Sequence, residues 1–546
     1  MIDSNFDVII IGAGAAGGTT AALLAEAGLR VLLLERGKKV VWPNVSRDHL
    51  RNQRFARYGH NAGPEIDGNP RVFVDPMGNE RVVRPFEGAY SNNAAAVGGG
   101  TLVYGAQAWR FMPQDFRMAS TYGVPSGSSL ADWPISYQDL EPDYEKAEWQ
   151  IGVSGDNAGS ASPRRRDYPM PPLPDTIQRR MLREAAGQLG WSSLCPPMAI
   201  NSTLYNGRPP CAKCGSCVGF ACPSNSKNGT QNTMIPRALK TGVCTLISEA
   251  MAHRIDTDDR GKVIGVTFFT SESGAPQRIS ARSRFVVVSC GAIESARLLL
   301  NSASSHHPRG LGNESDHVGR HLQGHYYPGA TGFFAEKTYD GDGPGVSIAT
   351  CQFNHGNPGV IGGAMLANEF VKLPIHFWHT SWPPNVPRWG LEAKHFMRDN
   401  YGRTIHIQGP VQEIPSPESR VTIDPKVRDR WDIPVVRLSG TAHPETVRTA
   451  LFMRDKAEQW MRSAGAVHIH SGGVGLYLSG GQHQAGTCRM GNDPKNSVTD
   501  SWGRVHAHDN LFVIDGSLHV TNGGFNPVLT IYALAFRCAQ GMIQRL

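Results

Sequence analysis

The chain has 546 residues, 40% of them hydrophobic and 18% charged, with a formal net charge of +7. That length exceeds one simple core, so two or three lobes are expected, and the composition excludes a fibrous or disordered chain. The charge is mild for the size and its tightest run, Arg164 to Arg166, lies in a Ser/Pro-rich loop, which argues against nucleic-acid binding.

Residues 7 to 37 read as strand, glycine turn, helix and second strand ending in an acid. In Gly12-x-Gly14-x-x-Gly17, Gly12 makes the tight turn and Gly14 admits a pyrophosphate. Ala15 opens the helix, and Gly17 lets it pack close to the strand. The helix N-terminus presents unpaired N–H groups to phosphates, and Glu35 can accept from a ribose diol. A dinucleotide site is therefore expected. This strand begins almost at Met1, leaving no room for a leader. No apolar run reaches the length of a membrane span, so a cytoplasmic location is expected.

Residues 40 to 90 are polar and turn-rich and read as an excursion without a clear period. In Val97-Gly98-Gly99-Gly100-Thr101 the backbone N–H groups can approach a ligand; an ordinary tight turn is the plain alternative. Ser136 reads as a helix N-cap with Asp139 as its capping-box partner. A second loop-rich excursion covers about 150 to 225. It contains Cys211-x2-Cys214-x2-Cys217-x4-Cys222-Pro223, four of the ten cysteines. The last gap is one residue longer than in the ferredoxin run, and the set fits zinc spacing only loosely. Structural thiols or a disulfide are the favoured reading, with no metal; an iron–sulfur cluster or zinc stays open.

Phe285 to Ser289 is a continuous β-branched run, as in a buried parallel strand, and Gly291 to Leu300 reads as a turn into a helix. Residues 315 to 480 are richer in aromatics and Pro, with a helix near 443 to 464, and read as a mixed β-sheet lobe. Within it His325, Tyr326, Trp378, His379 and Trp382 are candidates to stack on and hydrogen-bond a hydroxylated ring. Asn510 to Asp515-Gly516 is another buried strand ending in an acid, followed by a helix from 527 to about 543. Asn526 before Pro527 reads as N-cap and N1 of that helix. The fold class is thus α/β: a discontinuous Rossmann-like domain (1–314 and 481–546) with a mixed β-sheet substrate domain (315–480).

Five motifs occur in one order: the N-terminal glycine unit, Gly98 to Thr101, Gly291-Ala-Ile-Glu-Ser, His483-Gln-Ala-Gly-Thr, and Asp515-Gly516…Asn526-Pro527-Val528. With these the chain resembles, from end to end, the glucose–methanol–choline family of flavin oxidoreductases, in its sugar- and polyol-oxidising branch. The resemblance implies FAD, and oxidation of an alcohol by hydride transfer to flavin N5. It places His483 at the family's catalytic base and Asn526 at its second active-site position. An imidazole titrates near working pH and suits removal of a hydroxyl proton. An amide cannot act as a base but can orient the alcohol oxygen.

The same resemblance implies cofactor contacts at Gly12, Gly14, Ala15, Gly17, Glu35, Gly98 to Thr101, Asp515, Gly516, Pro527 and Val528. Some relatives attach FAD through a His where this chain has Val103, so non-covalent FAD is expected. Tyr104 stands where many relatives have Asn. The substrate is expected to be a sugar, glycoside or aminoglycoside-like polyol, with O2 or another electron acceptor. Two alternatives remain: a FAD/iron–sulfur dehydrogenase subunit passing electrons to a partner, and a lyase on a flavin fold.

Overall fold

The computed structural model describes residues 5–40, 62–85, 87–91, 94–157, 160–270, 276–368, 373–478 and 482–545. Its centre is a seven-stranded sheet. Cys244–Ile247, Val31–Leu34, Asn5–Ile11 and Gln277–Val288 run parallel in that order, followed by antiparallel Val263–Thr270 and Ala250–Thr257. Gln277–Val288 is shared. Its first half pairs with Val263–Thr270, and its second half pairs in parallel with Leu511–Val513, Phe512 opposite Val287. The two ends of the chain therefore meet in one sheet.

The hydrophobic runs explain this placement. Every residue of Val31–Leu34 is buried, as are Val8 to Ile11 and Val286 to Val288. Burying each such side chain contributes about 1.5–3 kcal/mol. Helix Ala15–Glu26 crosses from Asn5–Ile11 to Val31–Leu34, and helix Val528–Ile543 packs on it with eleven buried residues. The expected capping box forms: Ser136 Oγ accepts from Asp139 N, and the Asp139 carboxylate accepts from Ser136 N at 2.8 Å.

The remaining strands form three smaller sheets. One is five-stranded and antiparallel, built on Gly329–Phe333 and Thr404–Gln408. One is three-stranded, with Gln323–Tyr326 between Val411–Gln412 and Gln482–Ala485. The third joins Arg420–Arg428 and Pro434–Ser439 to Arg71–Val74 and Glu80–Val83.

The last pair corrects the expectation of structureless chain over 40 to 90, of which 41–61 and 86 lie outside the described residues. Arg71–Val74 conceals its period because it begins with a buried arginine. Arg71 donates to the Ser91 carbonyl at 2.9 Å and to Glu294 at 2.6 Å. A buried charge is tolerated when it is paired and hydrogen-bonded in this way.

Candidate active site

A cavity of about 950 Å³ runs from the C-terminal ends of the parallel strands to the three-stranded sheet. The three glycines of the first turn divide its construction. A Cβ on Gly12, at φ +101°, would lie 2.3 Å from the Ser289 carbonyl oxygen. A Cβ on Gly17 would lie 1.9 Å from the Gly12 carbonyl oxygen, so that glycine sets how closely helix and strand approach. A Cβ on Gly14 would meet no protein atom within 4 Å. Gly14 lines the cavity, so the space it leaves is open to a ligand. Gly100 has the same property and also lines the cavity.

Glu35 closes the nucleotide end. Its carboxylate accepts from Ala13 N at 2.9 Å and from Gly37 N at 2.8 Å, one bond per oxygen, leaving lone pairs for a ribose hydroxyl. Burial raises its pKa, and those two N–H groups and Arg36 oppose the rise. Thr101 Oγ donates to the Gly98 carbonyl at 2.6 Å and accepts from Thr230 N at 3.2 Å, which braces the second glycine turn. Tyr104 spends its hydroxyl on the Asn228 carbonyl. Val103 and Tyr104 both line the cavity.

The other end is organised around His483. Strand Gln482–Ala485 slips register against Gln323–Tyr326 between Gln482 and Ala485, and His483 sits in that slip at φ +60°. Such a bulge re-aims one side chain out of the ladder. Asn522 Nδ2 holds the bulge by donating to the His483 carbonyl at 2.7 Å.

The His483 ring meets His325 Nδ1 to Nδ1 at 2.9 Å, with the Tyr327 hydroxyl 3.0 Å from the same His483 nitrogen. His325 Nε2 lies 2.8 Å from the Gly523 carbonyl oxygen, which can only accept. Its Nε2 therefore carries the hydrogen. Burial lowers the His325 pKa to about 4, so the ring is neutral and its Nδ1 is an acceptor. His483 Nδ1 must then carry a hydrogen, because two facing lone pairs at 2.9 Å would repel. His483 Nε2 is left as the basic nitrogen on a residue that lines the cavity. Burial holds the His483 pKa well below the ordinary histidine value.

Asn526 also lines the cavity, and its Oδ1 is buried without a hydrogen-bond partner. An unmet buried acceptor costs about 1–3 kcal/mol, which a ligand hydroxyl would recover. The expected N-cap moves by one residue. The helix begins at Val528, and the Pro527 carbonyl accepts the Ile531 N–H at 3.0 Å, leaving the Asn526 side chain out of the cap.

Most residues expected at the cofactor do line the cavity: Gly12, Gly14, Ala15, Glu35, Gly99, Gly100, Thr101, Tyr104, Asp515, Gly516, Pro527 and Val528. Gly17 and Gly98 do not. Gly17 packs on Gly12, and Gly98 packs on the Gln231 side chain. The Asp515 carboxylate is consumed by the protein. It accepts from Gly291 N at 2.9 Å, Ser295 Oγ at 2.5 Å, Ser517 N at 2.8 Å and Ser517 Oγ at 2.5 Å, fixing two turns at the cavity wall.

Of the five side chains expected to meet a hydroxylated ring, only His325 reaches the cavity. Tyr326 stacks on Tyr477 with ring centroids 4.1 Å apart and donates to the Gly475 carbonyl. Trp378 and Trp382 belong to a separate apolar cluster with Phe333 and Phe377. His379 packs edge-on against Trp378. Tyr327, missed in the sequence, lines the cavity instead; the alternation that brings in His325 carries Tyr327 with it and turns Tyr326 away.

Cys211, Cys214, Cys217 and Cys222 line a small cavity that also touches Lys227. Lys227 Nζ is buried and donates to the Phe220 carbonyl at 2.9 Å, the Tyr104 carbonyl at 3.1 Å and the Cys217 carbonyl. Among the described residues the four sulfurs do not gather within 4.8 Å of one another. No disulfide joins any described cysteine.

Sequence comparison matches this chain to the family described as GMC oxidoreductase, its N-terminal part over residues 6–327 and its C-terminal part over 415–535. The chain is 32% identical to 6'''-hydroxyparomomycin C oxidase of Streptomyces lividus, over 100% of this chain and 92% of that protein. It is 29% identical to the fructose dehydrogenase large subunit of Gluconobacter japonicus, over 99% and 98%. Among solved structures it is similar to pyridoxine 4-oxidase from Mesorbium loti, with a TM-score of 0.62 at 17% identity over 98% of both chains, a likeness of fold.

Proposed function

The chain belongs to the GMC oxidoreductase family, and from that premise we propose that it oxidises an alcohol carbon of a sugar, glycoside or aminoglycoside-like polyol, with His483 as the base. FAD bound in the cavity supplies the hydride acceptor. The observation that carries this reading is the fixed tautomer of His483. His325, anchored on Gly523, holds the Nδ1 hydrogen and leaves Nε2 to take the hydroxyl proton. The imidazolium formed is then stabilised by its charge-assisted bond to His325.

Asn526 orients the substrate through its unmet amide oxygen, which accepts from a neighbouring hydroxyl of the polyol while the reacting hydroxyl gives its proton to His483 Nε2. The N-terminal end of helix Val528–Ile543 lies at the cavity through Pro527 and Val528 and favours negative charge there. FAD is held without a covalent bond, since Val103 offers no nucleophile. Gly14, Gly100 and Glu35 supply the binding surface.

The substrate class rests on the relatives, whose names describe oxidation of an aminoglycoside and of fructose. Among the described residues no helix is long and apolar enough to cross a membrane. In our reading the setting is reducing and cytoplasmic, in keeping with ten cysteines of which no described pair forms a disulfide. O2 or another small acceptor takes the electrons in our reading.

An anaerobic screen of sugars, glycosides, aminoglycosides and simple alcohols tests the proposal through loss of oxidised-flavin absorbance. A polyol that bleaches the wild-type flavin at least about a hundredfold faster than the His483→Ala flavin supports it. Equal rates in the two proteins would overturn the assignment of the base.

A further inference from the structure

We propose that His307, Glu314 and His508 form a binding site for a divalent transition metal of the zinc type, separate from the flavin cavity. None of the three lines that cavity. One donor atom from each lies within 4.8 Å of the donor atoms of the other two. Two imidazoles with one carboxylate is a donor set that suits zinc and its neighbours, and a fourth position can take water.

The orientation of His307 is the strongest part of the case. Its Nε2 is 3.0 Å from the Gly261 carbonyl oxygen, an obligate acceptor, so Nε2 carries a hydrogen. In the neutral ring Nδ1 is then a lone pair, and it lies 3.4 Å from Glu314 Oε1. A cation placed between these two electron-rich atoms would be attracted by both. Ligands around a tetrahedral ion with bonds of about 2.1 Å lie about 3.4 Å apart. A backbone carbonyl behind a ligating imidazole is also the usual way its tautomer is fixed.

His508 supplies an independent observation. It is 6% exposed, and its Nε2 is buried without a hydrogen-bond partner. Its ring centroid is 4.8 Å from that of His307. Glu314, half exposed, leaves the site open to solvent for metal entry.

The site links three segments around the edge of the large sheet. His307 follows helix Ala292–Asn301, Gly261 lies in the turn before strand Val263–Thr270, and His508 precedes strand Leu511–Val513. A metal there would clamp the strand that returns the C-terminal part of the chain to the N-terminal sheet.

The test uses the FAD-loaded enzyme, freed of metal by chelation and titrated with Co2+ and with Zn2+. We expect one equivalent of Co2+ with visible bands of nitrogen and oxygen ligation and no thiolate charge transfer, and a rise in Tm with Zn2+. Glu314→Gln, at a half-exposed position, weakens binding at least about tenfold and abolishes the Tm rise, with flavin content unchanged. His307→Gln does the same. Failure to bind either metal would overturn the proposal and leave His307 and Glu314 as a proton-bridged pair. So would binding of equal strength in both variants, or Co2+ spectra showing thiolate ligation, which would place the metal at Cys211 to Cys222.

Discussion

His325 and His483 meet Nδ1 to Nδ1 at 2.9 Å, and the far nitrogen of His325 is tied to the Gly523 carbonyl. A neutral ring therefore stands behind the proposed base. A carboxylate there would pull the His483 pKa up and hold a proton on the ring. His325 orients His483 and accepts its Nδ1 hydrogen without adding negative charge, so the base stays unprotonated at working pH.

Removing that acceptor is expected to slow flavin reduction. In His325→Ala the imidazolium formed on His483 loses a hydrogen bond worth about 1.5–3 kcal/mol. That corresponds to a fall of about ten- to a hundredfold in the reduction rate, with a smaller change in substrate affinity. Anaerobic stopped-flow over a range of substrate concentrations separates the two. Flavin content should match the wild type, because His325 braces the base rather than the nucleotide end.

The pH profile follows from the same pair. Burial lowers the pKa of His483, so Nε2 is unprotonated from neutral pH upward. The flavin-reduction rate should climb with pH along a limb whose midpoint lies below 6.5, then stay level through pH 8. A midpoint at or above 7 would show that a negative group stabilises the imidazolium.

The glycine turn yields a pair of opposite outcomes. Gly17→Ala drives a methyl against the Gly12 carbonyl oxygen, so helix and strand must separate. The protein should lose stability on the order of the 1–3 kcal/mol typical of overpacking, along with FAD. Gly14→Ala meets no protein atom, and helix Ala15–Glu26 should form as before. Its apoprotein should melt within about 0.5 kcal/mol of wild type while FAD binding is strongly weakened. Melts of apo and FAD-loaded forms, with flavin titration, distinguish the two.

The parts of this architecture written in local chemistry were legible. The Gly12 turn, the Ser136 capping box and the buried run before Ser289 each depend on neighbours in sequence, and each forms as expected. Features that need distant partners were not. Arg71–Val74 pairs with Pro434–Ser439, and its buried Arg71 is matched by Glu294, 223 residues away. His325 faces the base because a register slip 158 residues later turns His483 toward it. The choice between Tyr326 and Tyr327 was within reach, since strand alternation places His325 and Tyr327 on one side. Asn526 followed the usual Asn-Pro start, yet its amide is left uncapped at the cavity.

Stability should depend on pH from both sides. Burial lowers the pKa of His325 and of His519 to about 4, so each remains neutral in the fold while the unfolded chain protonates near 6.5. Their contribution is intact above that value and is lost as pH falls from about 6.5 to 4. Glu413 acts in the other direction. It is buried, its carboxyl accepts from Gly324 N at 2.9 Å, and burial raises its pKa to about 8. The fold keeps its proton where the unfolded chain has released it, so this contribution is full below about 4.5 and is lost as pH rises through 8. Glu413→Gln keeps the acceptor for Gly324 and removes the titration. Relative to wild type it should gain stability as pH rises from 5 to 8.5, by an amount on the order of 4 kcal/mol. Urea unfolding at the two pH values measures the difference. A gap between the two proteins that does not change with pH would mean that Glu413 is ionised in the fold.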